Sequence, residues 1–369
     1  MIINAISSGT FLLLSFLLFV KSFHENRFAN RWLSLSFVSI GLTLLDVSFS
    51  LSGFYLQYPH YQEIIGLLIF VLIPSIYLAT CHFVSPDRVF KIKDLLHFLP
   101  FFSFAILNIP YFLMSASEKL AISKLTENPT NASSIAILII LFLLYGQCVV
   151  YWFLSYRHIL KHQKNIQKIN SSTDSVDLDW LKQMLWGLLI MLVLWIIQDS
   201  FLHDISITVW GFLLSSFYIA SFAVSQREIY PYRKEELVFI SEIINQIPQN
   251  EHIEEVSEMS RKKLKELFLT QKPYLEPDLT LPKLAEIMQM TTHELSGLIN
   301  NGFQKNFYHF INGYRIEECK RFLEVSKDDS VNMLGIAYDS GFNSKTTFNT
   351  AFKAYTGMSP TEYQKMRRG

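Results

Sequence analysis

Residues 279–300 read LTLPKLAEIMQMTTHELSGLIN, and this stretch decides how the C-terminal part of the chain folds. Its apolar residues recur at helical spacing on both sides of a break at Gln289–Met290. Thr291 stands three residues before Glu294, which is the spacing of a capping box at a helix start. The stretch therefore predicts two short helices joined by a tight turn. The apolar positions of the first helix are Leu284, Ile287 and Met288, and the second helix buries Leu295, Leu298 and Ile299.

The same plan returns at residues 331–357, which read VNMLGIAYDSGFNSKTTFNTAFKAYTG. Gly341 predicts the turn, and Asn343 and Ser344 predict the start of the following helix. Between the two units, residues 307–325 have the pattern of one long amphipathic helix. We therefore expect two tandem helix-turn-helix units, a fold in which the second helix of each unit enters the major groove of DNA.

Residues 272–367 resemble the DNA-binding domain of the AraC/XylS family of bacterial transcription regulators. The similar segments are KPYLEPDLTLPKLAE, INGYRIEECKRFL, IAYDSGFNSKTTFNTAFKAYTG and MSPTEYQ. The residues at the family's spacing in the second unit are Gly341, Phe342, Phe348, Phe352, Lys353, Gly357 and Pro360. One position departs from the pattern, because similar sequences usually carry Gly where Gln304 stands. The resemblance implies that double-stranded DNA is the partner, read by two helices about 34 Å apart.

The candidate DNA-contacting residues lie on the polar faces of the two second helices. Amides can bond adenine, lysines can reach guanine acceptors, and threonine methyl groups can pack on thymine. A solvated helix face is the alternative interpretation. Because the first of these helices has no Lys or Arg, we expect the second to contribute more affinity. The candidates are His293, Ser296, Gly297, Asn300, Lys345, Thr346, Thr347, Asn349, Thr350 and Lys353.

The rest of the chain is unusually apolar. Half of the 369 residues are hydrophobic, 15% are aromatic, and the mean hydropathy is +0.24. Seven apolar runs are each long enough to cross a bilayer. They predict an all-α protein in which a seven-span helical bundle precedes the soluble tandem helix-turn-helix domain. The runs cover residues 2–20, 32–53, 63–84, 95–114, 134–156, 182–202 and 205–224.

The charges between these runs predict the orientation. The connections after runs 1, 3 and 5 hold eleven Lys or Arg residues, whereas those after runs 2, 4 and 6 hold only Lys119 and Lys124. Positively charged loops stay in the cytoplasm. We therefore expect a multi-pass protein of the bacterial inner membrane with its N-terminus outside and its DNA-binding domain in the cytoplasm. The predicted domains are residues 1–224, a helical linker at 225–271, and the DNA-binding domain at 272–369.

Two features leave alternatives open. Asp46, Asp199 and His203 lie toward the outer face of the predicted bundle and are candidates to line a pocket for a small-molecule or lipid ligand. The alternative is that Asp46 makes a structural hydrogen bond inside the bundle and the other two lie at the level of the lipid headgroups. The linker helix at 251–270 either packs on the DNA-binding domain or forms a short coiled coil in a homodimer. Arg315 is expected to tie the long helix to its neighbours.

Motifs of catalysis are absent from the sequence. His24–Glu25 and His293–Glu294 begin like a zinc-protease motif, but Phe28 and Gly297 stand where the second His is required. The three cysteines are widely separated, and we expect no metal site and no cofactor. From residue 271 onward, 12 Lys and Arg face 11 Asp and Glu, which predicts modest non-specific DNA affinity.

These observations favour a membrane-embedded transcriptional regulator, not an enzyme, which couples a signal at the membrane or outer face to promoter binding. Its expected partners are DNA, the lipid bilayer, a small ligand, a second copy of the chain and RNA polymerase. One alternative is a membrane transporter or lipid-modifying enzyme whose DNA-binding tail regulates its own gene. Another is a constitutive regulator that the apolar helices only anchor.

Overall fold

The computed structural model describes residues 2–22, 26–85, 88–126, 131–174, 176–201, 207–225, 258–325 and 332–368. Across these ranges the regular structure is helical, and the pairing of Asn170 with Thr280 is an isolated β-bridge. The chain divides into two compact units. We call Met1–Ile159 with Asp179–Ile229 the apolar unit, and Leu160–Leu178 with Tyr230–Gly369 the reader unit.

The helices of the apolar unit begin with a closely packed pair. Ser8 donates a hydrogen bond to the Gly41 carbonyl oxygen at 2.7 Å, and Ser15 donates one to the Ser34 carbonyl oxygen at 2.8 Å. Small residues allow two helix backbones to approach in this way. The α-helices are α1 (Ile2–Lys21), α2 (Arg27–Leu51), α3 (Phe54–Gln57), α4 (Ile69–Val84), α5 (Leu99–Leu107), α6 (Ile109–Phe112), α7 (Ala116–Thr126), α8 (Asn131–Ile166), α9 (Asp179–Phe201) and α10 (Ile207–Ser225).

The predicted count of seven spans is not confirmed. In the described ranges, five helical stretches are long and apolar enough to cross a membrane, and Thr208–Ser221 is a shorter apolar helix. The predicted run at 95–114 is divided between the 3-10 helix Ile92–Phe98, α5 and α6. Pro100 and Pro110 explain the division, since proline lacks the amide hydrogen that a continuous helix requires. The five stretches are Ile2–Lys21, Arg27–Leu51, Pro59–Val84, Ile140–Ile166 and Asp179–Ile197.

The reader unit contains both predicted helix-turn-helix pairs. The second helix of each pair, α13 and α16, is called here the first and the second reading helix. Between the pairs lies one long helix, α14. The helices are α11 (Glu258–Thr270), α12 (Leu281–Met288), α13 (Thr292–Phe303), α14 (Phe307–Val325), α15 (Met333–Asp339), α16 (Lys345–Thr356) and α17 (Pro360–Arg368).

Each helix-turn-helix pair has its own hydrophobic core. The first core is built from α11 to α14, and it buries Leu264 and Phe268 of α11 completely. The end of the predicted linker is therefore part of the DNA-binding domain, as in the packing alternative. The second core is built around Phe348 and Phe352 of the second reading helix. Helix α14 contributes to both cores and joins them.

Candidate nucleic-acid interface

The first helix-turn-helix pair is closed by the predicted capping box. The Thr291 amide donates a hydrogen bond to Glu294 at 2.7 Å, and the Glu294 amide donates one to the Thr291 hydroxyl at 3.2 Å. The two hydrogen bonds from Thr291 hold the pKa of Glu294 below its usual value. Gln289 makes the turn in the left-handed conformation, with φ of 56°. The first reading helix therefore begins at Thr292, and the capping box satisfies the amides of Thr291 and Glu294.

In the second helix-turn-helix pair, a glycine makes the turn and a serine caps the second helix. Gly341 makes the turn with φ of +91°, and a Cβ at this position would lie 2.5 Å from the Tyr274 carbonyl oxygen. Ser344 caps the second reading helix, because its hydroxyl accepts hydrogen bonds from the amides of Thr346 and Thr347. Glycine is required at 341 for both its conformation and its lack of a side chain.

The departure from the family pattern at Gln304 leaves the end of the first reading helix intact. Gln304 itself takes the left-handed conformation, with φ of 54° and ψ of 37°. Its side-chain amide donates a hydrogen bond to the Asn301 carbonyl oxygen at 3.0 Å. The helix thus ends where a family-like glycine would end it, at the cost of a strained non-glycine residue. Gly302 remains inside the helix.

Most predicted DNA-contacting residues lie on the surface of the two reading helices. His293 and Asn300 are exposed on the first, whereas Ser296 and Gly297 are half-buried. Thr347 differs from the rest, because its side chain is only 3% exposed. Its hydroxyl donates a hydrogen bond to Asp174 at 2.9 Å. The predicted residues that are exposed on the second reading helix are Lys345, Thr346, Asn349, Thr350 and Lys353.

Arg315 of α14 fixes the pairs relative to each other. Its side chain is fully buried, and it donates hydrogen bonds of 2.7 Å to the carbonyl oxygens of Tyr274 and Glu276. The guanidinium carbon also lies 5.6 Å from the centre of the Phe342 ring, which belongs to the second pair. Burial lowers the pKa of Arg315 to about 10, so the side chain remains charged at neutral pH. These contacts agree with the prediction that Arg315 ties the long helix α14 to its neighbours.

Other basic residues that could contact DNA phosphates form ion pairs within the domain. Lys320 pairs with Glu317 at 2.8 Å, and Arg321 pairs with Glu318. Burial raises the pKa of Glu318, but hydrogen bonds from Arg321 and Lys272 bring it below its usual value. Lys345 and Lys353 are therefore the exposed cations best placed on a reading face.

Only one residue of the predicted membrane pocket, Asp46, is described. Its carboxylate accepts a hydrogen bond from Tyr55. Asp199 and His203 lie outside the described side chains. A cavity of about 400 Å³ does exist in the apolar unit, but its lining is mainly apolar and does not include Asp46. Asn4, Leu72, Leu144, Trp152, Trp195 and Phe212 are among the lining residues.

Comparison with known proteins agrees with this geometry. A family model described as a helix-turn-helix domain matches residues 284–366. The melibiose operon regulatory protein of Escherichia coli strain K12 is 30% identical over 88 residues, which are 24% of this chain and 28% of that regulator. The same regulator from Escherichia coli O6:H1 strain CFT073 gives the same values. No solved structure matches the chain.

Residues 284–366 therefore form a helix-turn-helix domain of the AraC/XylS type. This class of domain binds double-stranded DNA through its reading helices. The chain spans little more than a quarter of the length of the regulators that it resembles.

The sequence did not reveal one part of this domain. Residues 167–174, which follow α8, pack against the tandem pairs and contribute Ile169 to the first core. Nothing in their composition predicts this position, since QKINSSTD has the polar character of an ordinary loop. The single apolar Ile169 in this polar stretch was the available signal.

Proposed function

We propose that the chain is a membrane-embedded, sequence-specific transcriptional regulator that couples a signal at the membrane or its outer face to promoter binding. The observation that carries the proposal is the tandem helix-turn-helix domain with two exposed polar reading faces, in one chain with long apolar helices. A DNA reader must act in the cytoplasm, and the positive loops favour the same side for the reader unit.

In this proposal the second reading helix supplies most of the DNA affinity. Lys345 and Lys353 are exposed on it, and Asn349 lies on the same helix one turn after Lys345. The amide of Asn349 has the donor and acceptor pair that matches adenine in the major groove. His293 and Asn300 of the first reading helix would read a second site about one turn of DNA away.

The apolar unit would hold the protein in the bacterial inner membrane and receive the signal. Asp46, Asp199 and His203 remain the candidate ligand-contacting residues, because ionisable groups within apolar helices usually serve a site or a partner. A ligand acts by binding one arrangement of the protein more tightly than another. A second copy of the chain and RNA polymerase are the expected protein partners.

Chromatin immunoprecipitation with sequencing tests the proposal in the cells that encode the protein. We expect the full-length chain to enrich a limited set of promoter regions. The variant Lys345→Ala with Asn349→Ala should reach the membrane fraction in equal amount and lose that enrichment. A wild-type protein that enriches no genomic region above an untagged control would refute promoter binding, and recovery of the protein from the soluble fraction would refute membrane embedding.

A further inference from the structure

The segment 167–174, called here the strap, is built into the surface of the DNA-binding domain. The Tyr308 amide donates a hydrogen bond to the Gln167 carbonyl oxygen at 2.9 Å, and the Leu281 amide donates one to the Ile169 carbonyl oxygen at 2.7 Å. The Ser171 amide in turn donates one to the Leu279 carbonyl oxygen at 3.2 Å. These three backbone hydrogen bonds make the strap a structural element of the reader unit.

The strap also satisfies buried polar groups of α14. The Asn312 side chain, which is fully buried, donates a hydrogen bond to the Ser171 carbonyl oxygen at 3.0 Å. Arg315 donates one to the Ser171 hydroxyl, also at 3.0 Å. Without the strap, these two side chains would lose acceptors in a site away from water, which is costly. The strap, which is a segment of the same chain, therefore occupies the surface around Asn312 and Arg315.

The far end of the strap lies against the start of the second reading helix. Ser172 donates a hydrogen bond to the Asn343 side chain at 2.6 Å, just before the helix cap. Asp174 accepts the hydrogen bond from Thr347 in the first turn of the helix. The Asp174 side chain remains exposed, so its charge faces the solvent at the first turn of the second reading helix. A carboxylate is thus held at a helix N-terminus, where negative charge is favoured.

A helix N-terminus is also where DNA phosphates bind to reading helices. A fixed carboxylate there repels the DNA backbone and competes with it for the same end of the helix. The effect should be appreciable, because 12 basic residues face 11 acidic ones after residue 270. The DNA-binding domain therefore has little net positive charge to offset the negative charge of Asp174.

We propose that the strap is the intramolecular partner of the reading domain and that Asp174 lowers DNA affinity from within the chain. This inference rests on the proposed function, since it concerns the same DNA-binding face. The strap follows directly after α8, a helix that runs from Asn131 in the apolar unit to Ile166 in the reader unit. A change in the apolar unit that shifts the end of α8 would therefore move Asp174 and alter DNA affinity.

The test measures DNA binding by the full-length protein in lipid nanodiscs. The probe is a fluorescein-labelled duplex that the wild-type protein enriches from a random-sequence pool, and the readout is fluorescence anisotropy. We expect Asp174→Asn and Asp174→Ala each to tighten binding about three- to tenfold at 50 mM salt, and by less at 200 mM salt because ions screen the charge. Asp177→Asn is the matched control, which removes a charge from the same loop but not from the strap.

The outcomes separate this inference from the proposed function. If Asp174→Asn and Asp174→Ala bind no more tightly than Asp177→Asn, the strap is only a structural brace and the inference is wrong. A gain with Asn but not with Ala would also overturn it, since the gain would then come from a new amide contact with DNA. A wild-type protein that enriches no sequence from the pool would instead refute the proposed function. Melting curves of all variants exclude misfolding as the cause of a loss, and misfolding does not produce tighter binding.

Discussion

The two helix-turn-helix pairs share one plan, but they differ at the positions that close their turns and helices. In the second pair, the two left-handed positions are Gly341 and Gly357. In the first pair, the corresponding sites hold Gln289 and Gln304, which adopt the same conformation without the freedom of glycine. The first pair therefore retains its geometry under strain, and this is possible because other contacts determine that geometry.

The reading helices differ in charge as well. The first has no Lys or Arg, whereas the second carries Lys345 and Lys353 on its exposed face. The first pair also receives Ile169 of the strap into its core, and the second pair receives only the polar end of the strap. From this comparison we expect the first pair to anchor the domain and the second pair to supply most of the DNA affinity.

The largest expected effect tests this division. Lys345→Ala combined with Asn349→Ala should weaken binding to the selected duplex about 30-fold or more, because each of the two base contacts contributes about 1–3 kcal/mol. His293→Ala combined with Asn300→Ala, in the first reading helix, should weaken it by about tenfold. Fluorescence anisotropy on the full-length protein measures both. Equal losses in the two double variants would show that the two pairs share the affinity evenly.

The next effect concerns the core of the first pair. Ile169→Ala should reduce the free energy of unfolding of the reader unit by about 2–4 kcal/mol, because Ile169 is 1% exposed within that core. Ile287→Ala is the matched control, since Ile287 lies on α12 and is 45% exposed. Chemical denaturation followed by the exchange of reader-unit amides distinguishes them. A cost below 1 kcal/mol for Ile169→Ala would mean that the strap does not belong to the core.

A smaller effect follows from the strained glutamine. Gln304→Gly should raise the free energy of unfolding by about 0.5–1 kcal/mol, because glycine adopts the left-handed conformation at lower cost. The opposite change in the second pair, Gly357→Ala, should lower it by a similar amount. Thermal melts of the two variants report the sign. Destabilisation by Gln304→Gly would show that the hydrogen bond to Asn301 outweighs the backbone strain.

The smallest effect is a difference in acid sensitivity. The folded protein holds the pKa of Glu294 below its unfolded value, so the capping box is fully present above the unfolded pKa and is lost as the pH falls through the folded one. The second reading helix is capped by Ser344, which does not titrate. Between pH 6 and pH 3.5, Glu294→Gln should therefore lose less stability than the wild type. If the two proteins lost stability equally as the pH falls, Glu294 would not be the cause of the acid sensitivity.

Local rules predicted much of the reader unit. The capping box at Thr291, the turn at Gly341 and the central place of Arg315 follow from short-range spacing or from the family resemblance, and the contacts agree with them. The burial of Thr347 was not predictable, because its partner Asp174 is 173 residues away in the sequence. Helical spacing alone indicates which residues share a face, and it does not show that a distant segment covers one of them.

The apolar unit shows a different limit. Hydropathy located the runs at 2–20 and 32–53, where long continuous helices are found. It could not predict that the run at 95–114 is broken, because the hydropathy of proline-containing and proline-free runs is similar while their hydrogen bonding is not. Pro74, by contrast, lies within the helix α4 without ending it.

In vitro selection from a pool of random duplexes by the purified full-length protein tests the central claim most directly. We expect the enriched sequences to contain two short elements whose centres lie about 10 base pairs apart, one for each reading helix. The element assigned to the second reading helix should disappear with Lys345→Ala and Asn349→Ala. If the pool remains random after repeated selection, while the protein is folded, the reader unit does not recognise DNA sequence and the proposed function is wrong.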